Sequence, residues 1–262
     1  ACGPGHDITT KIFTLFPKNY KNNIPTINAL IIVFDAKTGV PKAIVDGTEV
    51  TKRRTSAMSA LASSYMSRED SELLLICGSG ALAPHAALAH ADLRPIREVA
   101  IWARNKEAAE NTANIIRLER SDLKVNVSDD LEASCGWADI ISCQTSSPDP
   151  LVYGSWVKEG THLDFVGSHT PDKRECDDDV VRGSRIFVDV MDSAMKEAGD
   201  ILIPIKKGVI QKSDILGDLS DLCRGNLIGR LESTDITVFK STGSALADMA
   251  AAELAVRQSI QK

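Results

Sequence analysis

The stretch Ser71 to Asn105, SELLLICGSGALAPHAALAHADLRPIREVAIWARN, constrains the fold more than any other part of the chain. Leu73 to Ile76 is a short apolar run suited to a strand covered on both faces. Directly after it, Gly78, Gly80 and Ala83 fall in the spacing G-x-G-x-x-A. Each small residue has a physical job in a strand–turn–helix unit. The first permits the tight turn, the second lets the backbone approach a pyrophosphate, and the third lets helix pack close on strand. Pro84 suits the first turn of the helix that follows, where a missing N–H costs nothing. That helix start would aim unpaired N–H groups and the positive dipole end at phosphates. The unit predicts a dinucleotide lying across Gly78, Gly80, Ala81 and Leu82. The spacing by itself also fits a glycine turn with no cofactor; the strand before it and the helix after it favour the nucleotide.

The next strand, Glu98 to Trp102, ends where an acid would grip the ribose of NAD, but the sequence has Ala103, Arg104 and Asn105 there. A guanidinium beside the ribose favours a 2′-phosphate. NADPH is therefore expected as the cofactor, with NADH a weaker possibility. The plainer reading of Arg104 is an ordinary solvated loop residue.

Around this unit the chain reads as α/β. Thr10 to Phe16, Thr26 to Asp35 and Val40 to Asp46 alternate in strand fashion, with AKTG as a hairpin turn, so the opening is an antiparallel meander. Thr51 to Met66 is a small-residue helix opened by a threonine cap. Further strands are expected at Ala138 to Cys143, Thr161 to Val166 and Arg185 to Val190. Loops at strand carboxyl ends line the crevice of a doubly wound sheet. That rule nominates Gln144, Thr145, Ser146, Val166, Gly167, Ser168 and His169. Beyond Gly199 the pattern is less regular, and a final alanine-rich helix, Ser244 to Gln258, is expected to return to the first domain. The expected fold is a Rossmann-type doubly wound parallel sheet over 67–239. A smaller α+β substrate and dimerisation domain with antiparallel strands would take 1–66 with 240–262.

A net charge of −6 argues against a nucleic-acid partner. No apolar run approaches the roughly 18 residues that span a bilayer, so no membrane partner is expected. The six cysteines lack C-x-x-C spacing and read as reduced thiols of a cytoplasmic protein, not a disulfide frame or a zinc site. No signal peptide is visible, and Ala1 does not read as a natural start.

KIFTLFPKN, DAKTGVPKAIVDG, RRTSAMSALAS, ICGSGALA, ADIISCQTSS, VGSHTPDKRE, IFVDVMDSAMKEAGD and VFKSTGSALADMAAAELA, in this order, resemble the ornithine cyclodeaminase/μ-crystallin family over nearly the whole chain. The resemblance implies that the first domain begins earlier in family members, by about fifty residues against a typical domain size, with one more carboxylate-binding arginine there. It implies that Lys11 faces the substrate, and that Arg54 holds the substrate carboxylate close to the cofactor. It also implies cofactor contacts at Thr145, Val166, Ser168 and Gly243, beside those of the glycine turn. Taken without the resemblance, Lys11 reads as an exposed strand residue and Arg53 as a packing or solvent residue. Cyclodeaminases of the family carry an aspartate where this chain has His169, which supplies no permanent negative charge to an ammonium group. With the missing ribose acid, this moves the expectation toward the NADPH-dependent imine reductases. GDLSDLCRG and ITVFKSTGSALADMAAA resemble the bacterial Δ1-pyrroline-2-carboxylate reductases. The expected reaction is reduction of that imino acid to L-proline by a homodimer, with reduction of Δ1-piperideine-2-carboxylate to L-pipecolate as a second expected reaction. His169 is expected to line the substrate pocket. Ornithine cyclodeamination, alanine dehydrogenation and a non-catalytic μ-crystallin-like binding role are the alternatives.

Overall fold

The computed structural model describes residues 1–22 and 24–260. In chain order its elements are β1 (Ile8–Leu15), β2 (Ile27–Phe34), β3 (Pro41–Asp46), α1 (Gly47–Met66), β4 (Leu73–Cys77), α2 (Ala83–Leu93), β5 (Glu98–Trp102), α3 (Lys106–Glu119), β6 (Lys124–Val127) and α4 (Leu131–Trp137). They continue with β7 (Ile140–Cys143), β8 (His162–Phe165), α5 (Asp178–Val181), β9 (Arg185–Val188), α6 (Met191–Glu197), α7 (Gly199–Lys206), β10 (Ile215–Asp218), α8 (Leu219–Cys223), β11 (Thr237–Lys240) and α9 (Ala245–Ile260). Two compact units result, Ala1–Thr55 with Ser244–Lys262, and Ser56–Gly243.

In the first unit β1, β2 and β3 form an antiparallel sheet in that order. Strand periodicity separates its two faces. Ile31 and Val33 are fully buried and pack with Val50, Ala252 and Val256, which places α9 on the inner face. The opposite face carries Ile12 and Leu30, direct cross-strand partners, and Ile44, paired with Ile32. Ile12, Leu30 and Ile44 are 62%, 57% and 71% exposed, an apolar surface with no cover within the described residues.

The second unit is an eight-stranded sheet, order β10-β9-β11-β8-β7-β4-β5-β6, with every neighbouring pair parallel. Alternation along β4 divides its core. Leu74 and Ile76 pack with Ala83, Ala86 and Ala87 of α2, while Leu75 and Cys77 pack on the other face with Cys135, Ile141 and Leu163. Both faces are covered, so the apolar run needs no polar alternation. From β4 the chain builds outward through β5 and β6, then returns to lay β7 on the other side of β4. The order therefore reverses between β4 and β7, the position at whose carboxyl ends open α/β sheets take their ligands.

Two expectations are corrected. The first long helix begins at Gly47, not Thr51, because Asp46 caps it: its Oδ1 accepts from the N–H groups of Thr48 (2.9 Å) and Glu49 (3.0 Å). Thr51 lies inside the helix and donates its hydroxyl to the Gly47 carbonyl at 2.6 Å. The irregular stretch after Gly199 contains ordered α7, β10 and α8, with β10 pairing in parallel with β9 at the sheet edge. Among the described residues no helix is long and apolar enough to cross a membrane.

Candidate functional site

In the first unit, the inner side of β1 carries a lysine where apolar residues would be cheapest. Lys11 Nζ donates to Asp248 Oδ1 at 2.9 Å, and Arg54 Nε donates to the same oxygen at 2.9 Å. The three side chains are 15%, 11% and 14% exposed for Lys11, Arg54 and Asp248. Two cations thus converge on one oxygen of one acid. Burial lowers the pKa of Lys11, the hydrogen bond and charge of Asp248 oppose that, and the Arg54 charge adds to the lowering. The lysine is poised to give up a proton more readily than a solvated one. Neighbouring Arg53 points outward, 71% exposed, and pairs with Glu49 one turn back. Asp248 escaped the sequence reading. Its one trace is a carboxylate in the first turn of an otherwise alanine-rich helix.

In the second unit, Gly78 follows β4 with φ +120°, a conformation that side chains disfavour. A Cβ there would also stand 2.9 Å from the carbonyl oxygen of Gln144, which follows β7. The Gly78 N–H donates to the Trp102 carbonyl and the Gln144 N–H to that of Cys77, both at 2.8 Å, so three strand ends are stitched together at the switch point. At Gly80 a Cβ would meet nothing within 4 Å, so the backbone faces open space. Ala81 and Gly80 are exposed, and no acceptor is present among the described residues for the N–H groups of Gly80, Ala81 and Leu82. The next turn opens α2, with Pro84 at its start and Ala83 fully buried against the sheet. This corner fits a pyrophosphate: unpaired amides, room for a ligand, and a helix N-terminus behind them.

The remaining nominated residues divide by what already holds them. Ala103 packs against the α2–α3 side of the sheet, and Asn105 caps α3 by accepting from the Ala108 N–H at 3.1 Å. Arg104 is exposed, with no ion pair or hydrogen bond among the described residues. Thr145 donates both its N–H (2.8 Å) and its hydroxyl (2.7 Å) to Glu175 Oε1. Val166 is buried, and Ser168, at φ 48°, donates its hydroxyl to the Ser147 carbonyl at 3.0 Å, joining the two crevice loops. His169 stays exposed, yet partial enclosure by protein and then the charges of Lys240 and Lys173 lower its pKa, so the ring is neutral at physiological pH. Gly243 gives its N–H to Asp189 Oδ2 at 2.6 Å, and Asp189 also holds Ser241 and Thr242. Glu175, Asp200 and Lys240 form a wholly buried group behind the loops. Burial, above all, pushes the Glu175 carboxyl up to about 8. Burial works against the Lys240 charge, but Asp200 at 2.9 Å, with Glu175, outweighs it and holds the ammonium above its usual pKa. The sequence reading singled out none of these three, and buried charges in loops and strand ends carry no periodic signal.

Residues 3–262 match the profile of the Ornithine cyclodeaminase/mu-crystallin family. The chain belongs to that family. Among members, the Δ1-pyrroline-2-carboxylate reductase of Colwellia psychrerythraea is 38% identical over 252 residues, covering 96% of this chain and 80% of the relative. The structure of Thermococcus litoralis Δ1-pyrroline-2-carboxylate reductase in complex with NADH and L-proline superposes with a TM-score of 0.94 at 33% identity, covering 97% of this chain and 79% of that one. An archaeal alanine dehydrogenase dimer with bound NAD gives 0.91 at 29% identity, over 98% and 79%. The parallel eight-stranded sheet and the small antiparallel sheet are thus the architecture of this family's dehydrogenases and reductases.

Proposed function

We propose that this chain is a nicotinamide-dependent reductase of cyclic imino acids, converting Δ1-pyrroline-2-carboxylate to L-proline. The observation that carries the reading is the convergence of Lys11 and Arg54, a proton donor and a planar guanidinium, on one oxygen of Asp248 in a mostly buried place, both at 2.9 Å. The similarity to relatives named for this reaction supports the same substrate class. When bound, the reduced nicotinamide supplies a hydride to the imine carbon. Arg54 holds the carboxylate, and a guanidinium does this in a two-point grip that fixes which face of the carbon is presented. Lys11 gives a proton to the imine nitrogen, whose lone pair binds it while the C=N π electrons pass to nitrogen as hydride arrives. The balance is one hydride and one proton added across C=N, with Lys11 reprotonated from water. The lowered pKa of Lys11 suits that transfer. His169, neutral and exposed, offers no anion for the side-chain ammonium of ornithine, which disfavours cyclodeamination. The six-membered imino acid is a further substrate, since one methylene changes selectivity by only about 1–3 kcal/mol.

The amides at Gly80 to Leu82 and the start of α2 would hold the pyrophosphate, and Arg104 at the end of β5 would meet a 2′-phosphate. NADPH is therefore the proposed physiological cofactor, although two similar structures hold NADH and NAD. Steady-state assays with pyrroline-2-carboxylate test both points. Turnover is expected with either cofactor, with a lower KM for NADPH. Arg104→Ala should raise the NADPH KM roughly 10- to 100-fold, the worth of one charge-assisted phosphate contact, and leave the NADH value nearly unchanged. Equal changes for the two cofactors would remove the 2′-phosphate assignment. The absence of turnover with any cyclic imine would remove the reductase reading.

We also propose that the exposed face of β1, β2 and β3 is covered by a second copy of the chain. Ile12, Leu30 and Ile44 expose more apolar surface than an isolated sheet tolerates well, and a similar family structure is a dimer. Leu30→Lys with Ile44→Lys should convert the dimer to monomer in analytical ultracentrifugation. An unchanged sedimentation coefficient would place the interface elsewhere. The six unpaired cysteines, two of them exposed, favour a reducing compartment, and we assign the protein to the cytoplasm.

A further inference from the structure

Behind the crevice loops of the second unit lies a buried group of charges that the proposed reaction does not use. Glu175, Asp200 and Lys240 are all 0% exposed. Glu175 Oε1 accepts from the Thr145 N–H and hydroxyl, so this one oxygen anchors the loop that follows β7. Its own N–H donates to Asp200 Oδ1 at 2.6 Å, and Asp200 Oδ2 lies 2.9 Å from Lys240 Nζ. Lys240 also donates to the Gly167 carbonyl, on the loop that follows β8. A Cβ on Gly167 would stand 2.5 Å from Glu175 Oε1 and closer still to the Thr145 carbonyl, so both loops rest on the acid with no spare room.

Charge bookkeeping then decides the state of Glu175. The titratable groups facing it are Lys240 at the end of β11, Asp200 on α7 and Cys143 at the end of β7, with Cys176 next in the chain. Burial holds both thiols neutral, and the Lys240 charge, though it outweighs that of Asp200 at Glu175, falls short of the burial cost. An ionised Glu175 would leave one uncompensated negative charge in the core. Its second oxygen, Oε2, is buried with no hydrogen-bond partner among the described residues. A bare carboxylate oxygen there is costly, while a neutral acid avoids most of that cost. The same carboxyl can accept both Thr145 hydrogen bonds on its carbonyl oxygen and carry its proton on the other.

We propose that Glu175 is a positioning residue that holds Thr145 and its loop ready for the dinucleotide only while its carboxyl carries a proton, and that loss of the proton loosens the cofactor. This deepens the nicotinamide reading above and rests on it. Ionisation buries a charge that Lys240, itself paired with Asp200, and the two Thr145 hydrogen bonds together do not offset; movement toward water relieves it, and Thr145 and Gly167 move with the acid that supports them.

Glu175→Gln is the direct test, because the amide has the shape of the protonated acid and keeps the oxygen that Thr145 uses. Dissociation constants for NADPH and NADH would be measured by calorimetry from pH 6.5 to 9.5. The wild type is expected to weaken roughly tenfold as pH rises through the titration of Glu175, and the variant to keep the neutral-pH affinity throughout. Equal pH slopes in the two proteins, or a wild type that does not weaken, would overturn the proposal. The proton can also be read without a cofactor. Isotope-edited infrared spectra at pH 7 should contain a buried carboxylic-acid carbonyl band that Glu175→Gln lacks, and absence of that band equally overturns the proposal. The sign of the linkage gives a further check. The folded pKa is raised, so Glu175 costs the wild type stability as pH rises from the unfolded value of 4.5 to about 8, and the melting-temperature advantage of Glu175→Gln should grow over that window and then level off. If neither protein binds a dinucleotide at any pH, the cofactor reading fails and the release step falls with it, while the infrared band separately reports the proton.

Discussion

Arg54→Ala is expected to lower kcat/KM for pyrroline-2-carboxylate by roughly 10²- to 10⁴-fold, from two charge-assisted hydrogen bonds worth about 1.5–3 kcal/mol each. The geometry explains why the loss should be so large. Arg54 presents a planar guanidinium beside Lys11; with it gone, the two-point donor for the substrate carboxylate is lost and Lys11 keeps only its pairing with Asp248. Asp248 keeps the Lys11 partner at 2.9 Å, so no buried carboxylate is stranded and the fold should survive. Circular dichroism and the melting temperature would establish that. Arg54→Lys should recover only part of the activity, because an ammonium restores the charge but not the planar two-point grip. Retention of activity within about threefold in Arg54→Ala, less than even one such bond is worth, would mean that another residue takes the carboxylate.

The second large effect comes from contrasting two glycines in one turn. Gly80→Ala should leave the melting temperature within about a degree of wild type, because the added methyl meets nothing within 4 Å and φ is ordinary there. Dinucleotide affinity should nevertheless fall about 10- to 100-fold, as the methyl occupies the space through which amide N–H groups reach the phosphates. Gly78→Ala should do the reverse in order of severity. Its φ of +120° and the Gln144 carbonyl 2.9 Å away predict a destabilisation of about 2–4 kcal/mol, or roughly 5–15 °C in melting temperature. Calorimetric titration beside thermal melts distinguishes the two. If Gly80→Ala binds both dinucleotides as tightly as wild type, the pyrophosphate does not cross this turn.

What the sequence disclosed follows from which forces act locally. The β4 run is legible because a strand covered on both faces is apolar throughout, and Gly78 because a sharp turn demands a residue without a Cβ. The start of α1 was misplaced because Asp46 ends a strand and caps a helix at once, and its role depends on the N–H groups that it receives. Strand β10 was missed because ILGD has a glycine at its third position and an exposed Leu216, so pairing with β9, and not periodicity, decides its conformation. Lys11 and Arg54 could be singled out only through the family resemblance, and even that did not point to Asp248, which stands almost two hundred residues away from Arg54 in sequence. Long-range charge pairing leaves no local pattern, and the buried Glu175, Asp200 and Lys240 group was invisible for the same reason.

The first unit is discontinuous: its sheet is made early in the chain, and α9, which covers the inner face and brings Asp248, is made after residues 56–243. During synthesis the parallel sheet can close on itself while the early strands wait without Asp248 and with their inner apolar face bare. Translation therefore completes the parallel sheet first and completes the antiparallel one only when α9 has been made. Release of the chain before α9 is made would leave the parallel sheet complete and the antiparallel sheet without the helix that covers it.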